Sequence, residues 1–231
     1  MTNAIILASG LGTRMYPLTK KVPKPLVNVH DLPMIETIIC ALNEASVNKI
    51  FVVVGYLSEQ FEYLTSKYSN LYLIKNPDYK IANNISSVYY ASDVLCSEDC
   101  FICEGDLYIY NKNIFNLFRK ESGYFGKMVN GRTEDWVFDV SESGFITRIG
   151  KIGCNQYNMV GLSYFTKADS KFLSKVIKKA YLENGNKHLF WDEIVNNNLD
   201  KLKLKIHKVA FDEIVEIDTV EELNIINERK I

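Results

Sequence analysis

Residues 7–26 read Leu7-Ala-Ser-Gly-Leu-Gly-Thr-Arg-Met-Tyr-Pro-Leu-Thr-Lys-Lys-Val-Pro-Lys-Pro-Leu26, at the end of a short apolar strand, Ala4–Ala8. Gly10 and Gly12 let the backbone turn sharply and approach an anion with no Cβ in the way. Successive backbone N–H groups in this loop can cradle phosphate oxygens, and Leu7, Ala8, Ser9, Gly10, Gly12 and Thr13 are the candidate nucleotide-binding residues. Arg14 and Lys24 add the positive charge that a triphosphate needs while one of its bonds breaks. The stretch implies a site for a nucleoside triphosphate.

Better-known phosphate loops do not fit. A dinucleotide fingerprint needs a third glycine where Met15 stands, and a P-loop needs Gly-Lys-Ser/Thr after four spacer residues, which is absent. The His-Arg-Asp and Asp-Phe-Gly signatures of a protein kinase are missing as well. An isolated Gly-x-Gly is most simply a tight turn. Here it is joined to Thr13-Arg14, to Pro17-Leu-Thr19 and to Pro23-Lys24, a set that a turn does not require.

The chain of 231 residues has a net charge of −1, which makes no electrostatic case for nucleic-acid binding or a polybasic membrane anchor. No apolar stretch approaches the ~20 residues of a spanning helix. The N-terminus enters a strand without the features of a signal peptide, so the expected location is cytoplasmic. Five cysteines include one C-x-x-C, Cys100 and Cys103. Residues three apart on a strand point to opposite faces, so reduced, partly buried thiols are expected rather than a metal site.

The first half alternates strands and helices. Strands are expected at 3–8, 49–54, 71–75 and 101–104. Helices are expected from Pro33, with Ile35, Ile38, Ile39 and Leu42 on one face, over 58–68 and over 84–95. The run Ile50-Phe-Val-Val-Val54 suits a strand buried on both faces of a mostly parallel sheet. The second half is richer in hairpins. Strands are expected at 124–129, 136–140, 145–149, 157–165, 203–208 and 215–217, with helices at 168–184 and 191–199 and at the C-terminus. The pattern is α/β: a doubly wound, mostly parallel, mixed Rossmann-like sheet flanked by helices, with an antiparallel elaboration in the second half. No linker divides it, so residues 1–231 read as one domain, with a nucleotide-binding half (about 1–110) and an acceptor-binding half (about 111–231). Ligands gather at the carboxyl ends of strands in such sheets, where the glycine loop and Gly105-Asp106 both lie.

Transfer of a nucleotidyl group needs anions positioned and charge neutralised more than it needs covalent help. Mg2+ takes hard oxygen ligands, typically one or two carboxylates. Asp106 is one candidate. Glu216 and Asp218 flank Ile217, so on a strand both carboxylates share a face. An exposed edge strand would also explain that pair, and Asp218 could instead cap the terminal helix.

The loop Leu-Ala-x-Gly-x-Gly-Ser/Thr-Arg, with Pro-Leu-Thr and Pro-Lys following, resembles the sugar-1-phosphate nucleotidyltransferase-like superfamily, with Ser9 where Ala or Gly is usual. Further matches at 55–64, Asn83-Asn-Ile-Ser-Ser87, Thr133-Glu-Asp-Trp136, Phe190-Trp-Asp192 and Glu216-Ile-Asp218 resemble the bacterial choline-phosphate cytidylyltransferases. The resemblance implies Asn84 and Ser87 near the nucleotide, Lys24 as a catalytic residue with Arg14, and Mg2+ held by Asp106 and Asp218. It implies CTP and a small phosphorylated amino-alcohol, phosphocholine, as partners, with no nucleic acid and no membrane. A homo-oligomer is allowed, but no interface stripe specifies one.

Choline offers no hydrogen-bond donors, so its recognition calls for aromatic faces backed by carboxylates. Trp136, Tyr157, Phe190, Trp191, Asp192 and Glu216 are residues of those kinds. Any one of the aromatics, taken alone, is more simply a core anchor. Phosphoethanolamine or 2-aminoethylphosphonate would ask for more hydrogen-bond acceptors. A hexose 1-phosphate with UTP or dTTP, or nucleotide binding without turnover, are further alternatives. The His-x-Gly-His motif of another cytidylyltransferase family is absent; His30 and His207 are expected at the surface, and His188 has no assigned role.

Overall fold

The computed structural model describes residues 1–116 and 120–228. Its elements in chain order are β1 (Thr2–Ala8), β2 (Asn28–Val29), β3 (Leu32–Pro33), α1 (Met34–Glu44), β4 (Lys49–Val54), α2 (Glu62–Lys67), β5 (Leu71–Lys75), α3 (Ile85–Tyr90) and α4 (Ser92–Leu95). There follow β6 (Asp99–Glu104), β7 (Leu107–Ile109), β8 (Gly123–Val140), β9 (Ile146–Phe165), α5 (Lys167–Leu182), α6 (Trp191–Asn196), β10 (Lys205–Lys208), β11 (Ile214–Glu216) and α7 (Val220–Glu228).

Seven strands form one mixed sheet in the order β10-β8-β9-β6-β1-β4-β5. β5, β4, β1 and β6 run parallel, β9 is antiparallel to both β6 and β8, and β10 is parallel to β8. This is the Rossmann-like sheet expected, and strands from both halves of the chain share it. Alternation along β1 divides the core between its faces. Ala4, Ile6 and Ala8 pack with α1 and Phe61, whereas Ile5 and Leu7 pack with the helices from α3 to α6. Cys100 and Cys103 fall on opposite faces in the same way, both fully buried, and burial pushes both thiols well above the ordinary range. Neither is a candidate nucleophile.

Three differences from the sequence reading matter. The strands expected at 124–129 and 136–140 are one strand, β8, and those at 145–149 and 157–165 are one strand, β9. Between them the chain forms a two-stranded arm with register shifts near Val129–Arg132 and Thr133–Trp136, held by ladder bonds rather than by burial, so its residues carry no apolar alternation. His207, expected at the surface, is buried against Phe125 and bonded to the Glu121 carbonyl, and burial lowers its pKa to about 4. The short strand β7 was not evident in the sequence. It pairs with β11 in a separate two-stranded ribbon, so β11 is not part of the main sheet.

A third core cluster lies beyond the sheet. Met15, Val27, Val29 and Met34, which follow the glycine loop, pack with Tyr108, Ile217, Leu223 and Ile226. Thr219 and Glu222 form a capping box at the start of α7: the Thr219 hydroxyl accepts from Glu222 N, and the Glu222 carboxylate accepts from Thr219 N. Asp218 is therefore not needed as the cap.

The β8–β10 pairing leaves no space at Gly123, where a Cβ would stand 2.2 Å from the Lys205 carbonyl oxygen. Gly123→Ala is expected to cost about 2 kcal/mol and lower the thermal midpoint by roughly 4–8 °C, checked by calorimetry.

Candidate active site

The glycine loop leaves the carboxyl end of β1, next to the end of β6. Gly105 N donates to the Leu7 carbonyl at 2.9 Å, and a Cβ on Gly105 would lie 2.8 Å from that oxygen. Gly12 adopts φ +63°, and its Hα faces Lys24 and Thr19 so closely that a Cβ would come within 2.9 Å of Lys24 Cβ. The buried Thr19 hydroxyl donates to the Gly12 carbonyl at 2.7 Å and closes the loop. The Thr of Pro17-Leu-Thr19 thus shapes the loop from beneath. Around Gly10 nothing lies within 4 Å of the missing Cβ, so the backbone there is open to a ligand.

Behind the loop is a buried polar knot. Ser9 Oγ is 2.8 Å from Ser87 Oγ, and Asn76 Nδ2 donates to Ser86 Oγ at 2.9 Å and to Ser87 Oγ at 3.1 Å. The hydroxyl of Ser9 therefore has partners that an alanine could not use. Asn84 Nδ2 donates to Glu104 and its Oδ1 accepts from Trp191 N, tying α3 to the start of α6.

The cavity over this floor has a volume of about 570 Å3. Leu7, Ala8, Ser9, Gly10, Gly12, Thr13, Arg14, Asn84, Ser87 and Gly105 all line it, together with Tyr79, Asn83 and Glu104. A second cavity of about 590 Å3 adjoins it, sharing Arg14, Asn84, Glu104, Asp106 and Phe190. Its further wall includes Trp136, Lys151, Met159, Asp192, Glu216 and Asp218.

Lys24 stands where the cavities meet. Its ammonium donates to Asp106 Oδ2 and to Asp218 Oδ1, both at 2.6 Å. Burial by itself would lower its pKa, but the two carboxylates outweigh that and hold it above the ordinary lysine value. Lys24 is therefore a fixed cation with a third N–H to offer. Arg14 pairs with the other oxygen of Asp218 while remaining largely exposed. Ligand oxygens of Asp106, Glu216 and Asp218 lie within 4.8 Å of one another.

The second cavity is strongly acidic. Burial, then the neighbouring Asp106, Asp192 and Glu216, push Glu104 well above the usual carboxylate range. Asp192 is buried, accepts from the Tyr124 hydroxyl at 3.0 Å, and is pushed by desolvation to about 7. Glu216 reaches water within the cavity, yet the protein around it and the charges of Asp106 and Asp218 raise it to about 8. Burial is the largest cause at all three, and the charge of neighbouring carboxylates adds to it at Glu104 and Glu216.

Trp191 and Tyr157 stand apart from both cavities. Trp191 is 3% exposed, stacked on Tyr124 at 5.7 Å between ring centroids and packed on Phe165, so it anchors α6 in the core. Tyr157 packs on the same core with Lys208 over its ring. Trp136 and Phe190 do reach the cavity and meet edge to face, 5.5 Å between centroids. Glu104 was missed in the sequence. Its signal was a carboxylate at the end of an apolar strand, two residues before Asp106 and so on the same side. Asn76, at the end of β5, carried a similar signal.

The nucleotidyl transferase family model matches residues 3–129, more than half of the chain, through the loop, Lys24 and Asp106. The chain belongs to that family. It is 53% identical to a 2-aminoethylphosphonate cytidylyltransferase of Lancefieldella rimae over 222 residues, 96% of this chain and 90% of that one. It is 33% identical to a choline-phosphate cytidylyltransferase of Streptococcus pneumoniae over 95% of this chain and 94% of that one. The solved structure of the CTP:phosphocholine cytidylyltransferase of Streptococcus pneumoniae superposes with a TM-score of 0.89 at 32% identity, covering 98% of each chain. The protein is thus a nucleotidyltransferase with cytidylyltransferase relatives along almost its whole length. No helix among the described residues is long and apolar enough to cross a membrane.

Two outcomes follow from the charges. Lys24→Met should lower the rate of pyrophosphate release by about 10^3-fold, as removal of a preorganised charge does, with the fold intact by circular dichroism. For Asp192 the folded pKa of about 7 exceeds the ordinary 3.8, so the native state binds the extra proton and stability falls as pH rises between those values. Asp192→Asn, which keeps an acceptor for Tyr124, should remove up to about 1.4 kcal/mol per pH unit of that slope, read from urea unfolding at pH 4.5 to 7.5.

Proposed function

We propose that this chain transfers CMP from CTP to 2-aminoethylphosphonate, rather than to phosphocholine, the acceptor favoured by the sequence reading. The observation that carries this is the 53% identity with the 2-aminoethylphosphonate enzyme, against 32–33% with the two choline-phosphate enzymes. The second cavity supports it. A primary ammonium has three N–H donors to place, and Glu104, Asp192 and Glu216 offer acceptors around one space. Of the four aromatics considered for a choline cage, only Trp136 and Phe190 line the cavity. That pair is also what favours phosphocholine as the second reading.

In this reading CTP lies over the glycine loop with its triphosphate toward Arg14 and Lys24. A phosphonate oxygen of the acceptor attacks the α-phosphorus in line. The new P–O bond forms as the bond from the α-phosphorus to the bridging oxygen breaks, and pyrophosphate carries that electron pair away. Lys24 keeps its charge through this, because Asp106 and Asp218 prevent its proton from leaving. The Ser9–Ser87–Asn76 knot holds the loop that positions the triphosphate.

The residues also fit Mg2+. Asp106 Oδ1 is buried with no hydrogen-bond partner, next to the carboxylates of Glu216 and Asp218, and this hard-oxygen set suits the ion. Asp106 and Asp218 would hold it, with Glu216 beside them; when bound, it neutralises charge on the triphosphate oxygens.

A panel of CTP, UTP, dTTP and ATP against 2-aminoethylphosphonate, phosphoethanolamine, phosphocholine and glucose 1-phosphate tests the reading by pyrophosphate release. CTP with 2-aminoethylphosphonate should give the highest kcat/KM, and EDTA should abolish turnover until Mg2+ is restored. A higher kcat/KM with phosphocholine would overturn the acceptor, turnover only with glucose 1-phosphate and UTP or dTTP would overturn the cytidylyltransferase reading, and no release with any pair would leave a binding protein.

A further inference from the structure

The aromatic pair in the acceptor cavity already has a cation on it. Trp136 and Lys151 are cross-strand partners in the β8–β9 ladder. That register places Lys151 Nζ 5.6 Å from the Trp136 ring centroid and 5.6 Å from the Phe190 centroid. Among the described residues Lys151 makes no ion pair, and its ammonium stands over the two rings. It lines the same cavity as Glu104, Asp192 and Glu216.

We propose that Lys151 is a specificity-determining residue that occupies the Trp136–Phe190 cation seat and so reserves the cavity for a primary ammonium. This rests on the acceptor assignment above. A second cation at this aromatic pair is disfavoured, because like charges a few ångströms apart repel. A quaternary ammonium has no hydrogen-bond donor, so ring faces are its main source of specific contact, and Lys151 already stands over one face of each ring. A primary ammonium donates to carboxylates instead and has no need of the rings. The discrimination is built by repulsion at the wrong site as well as by attraction at the right one. The two-stranded arm explains how: its ladder fixes the Lys151 backbone opposite Trp136, while the side chain lies along the exposed edge of the cavity.

The test uses Lys151→Met, which keeps the length and removes the charge, and Lys151→Arg, which keeps the charge. Tetramethylammonium binding, followed by titration calorimetry, requires neither CTP nor an acceptor. Lys151→Met should bind it about tenfold more tightly than the wild type, and Lys151→Arg should not. In turnover, the ratio of kcat/KM for phosphocholine to that for 2-aminoethylphosphonate should rise about tenfold in Lys151→Met, chiefly through the phosphocholine KM. Unchanged tetramethylammonium affinity would sink the proposal. An equal loss of kcat/KM with both acceptors would also overturn it, placing Lys151 on the phosphoryl group that they have in common. A wild type that prefers phosphocholine would defeat the acceptor assignment, whereas the tetramethylammonium comparison judges Lys151 by itself.

Discussion

Lys24 sits between Asp106 and Asp218, and this charge arrangement is what the remainder of the site depends on. Three carboxylates lie within 4.8 Å of one another at the junction of the cavities. Without a cation among them their mutual repulsion would force protons onto them or push the chain segments apart. Lys24 comes from the segment after the glycine loop, Asp106 from the end of β6, and Asp218 from the start of the terminal helix. The same bonds therefore hold three distant pieces of chain together and keep the ammonium charged. An ion pair buried to this degree contributes little net stability, but it fixes where each partner stands.

The two cavities divide the work by polarity. The cavity over the glycine loop has a floor of backbone and neutral hydroxyls and amides, with Ser9, Asn76, Ser86 and Ser87 satisfying one another, while Arg14, Lys24, Glu104 and Asp106 also line it. The acceptor side concentrates Glu104, Asp192 and Glu216, each with a raised pKa. Burial there disfavours the charged form of the carboxylates. Glu104 belongs to both walls and is linked through Asn84 to the backbone of Trp191. The polar floor of one cavity thus positions the helix that carries Phe190 and Asp192 into the other.

Much of this was legible in the residues. The strands of the parallel half are apolar runs bounded by turn residues, and β4 and β5 lie at the expected positions. The Gly-x-Gly with its hydroxyl, arginine and lysine stood out because those residue types suit a loop around phosphates. The capping box Thr219-Val-Glu-Glu222 was equally visible and was not used, which left Asp218 open to a capping role that Thr219 performs. The arm formed by β8 and β9 was harder to see, since strands held by their ladder in solvent need no alternation. The tryptophans show a limit of composition. Each has acidic neighbours in sequence, yet Trp191 is stacked in the core and Trp136 lines the cavity. Which of the two meets a ligand depends on the face each presents, and neighbours along the chain do not specify that.

The amino-acid sequence by itself determined the class of chemistry and the architecture, because glycines at a strand end, charged residues around them and hydrophobic periodicity are local properties. The tertiary structure decided what stands opposite what. The third core cluster, packing the segment after the loop against Ile217 and α7, brings Asp218 to Lys24 across 194 positions of chain. The ladder between β8 and β9 sets Lys151 over Trp136, and α6 delivers Phe190 to the same place. Those juxtapositions come from packing and strand register over long separations, so no short stretch of residues contains them.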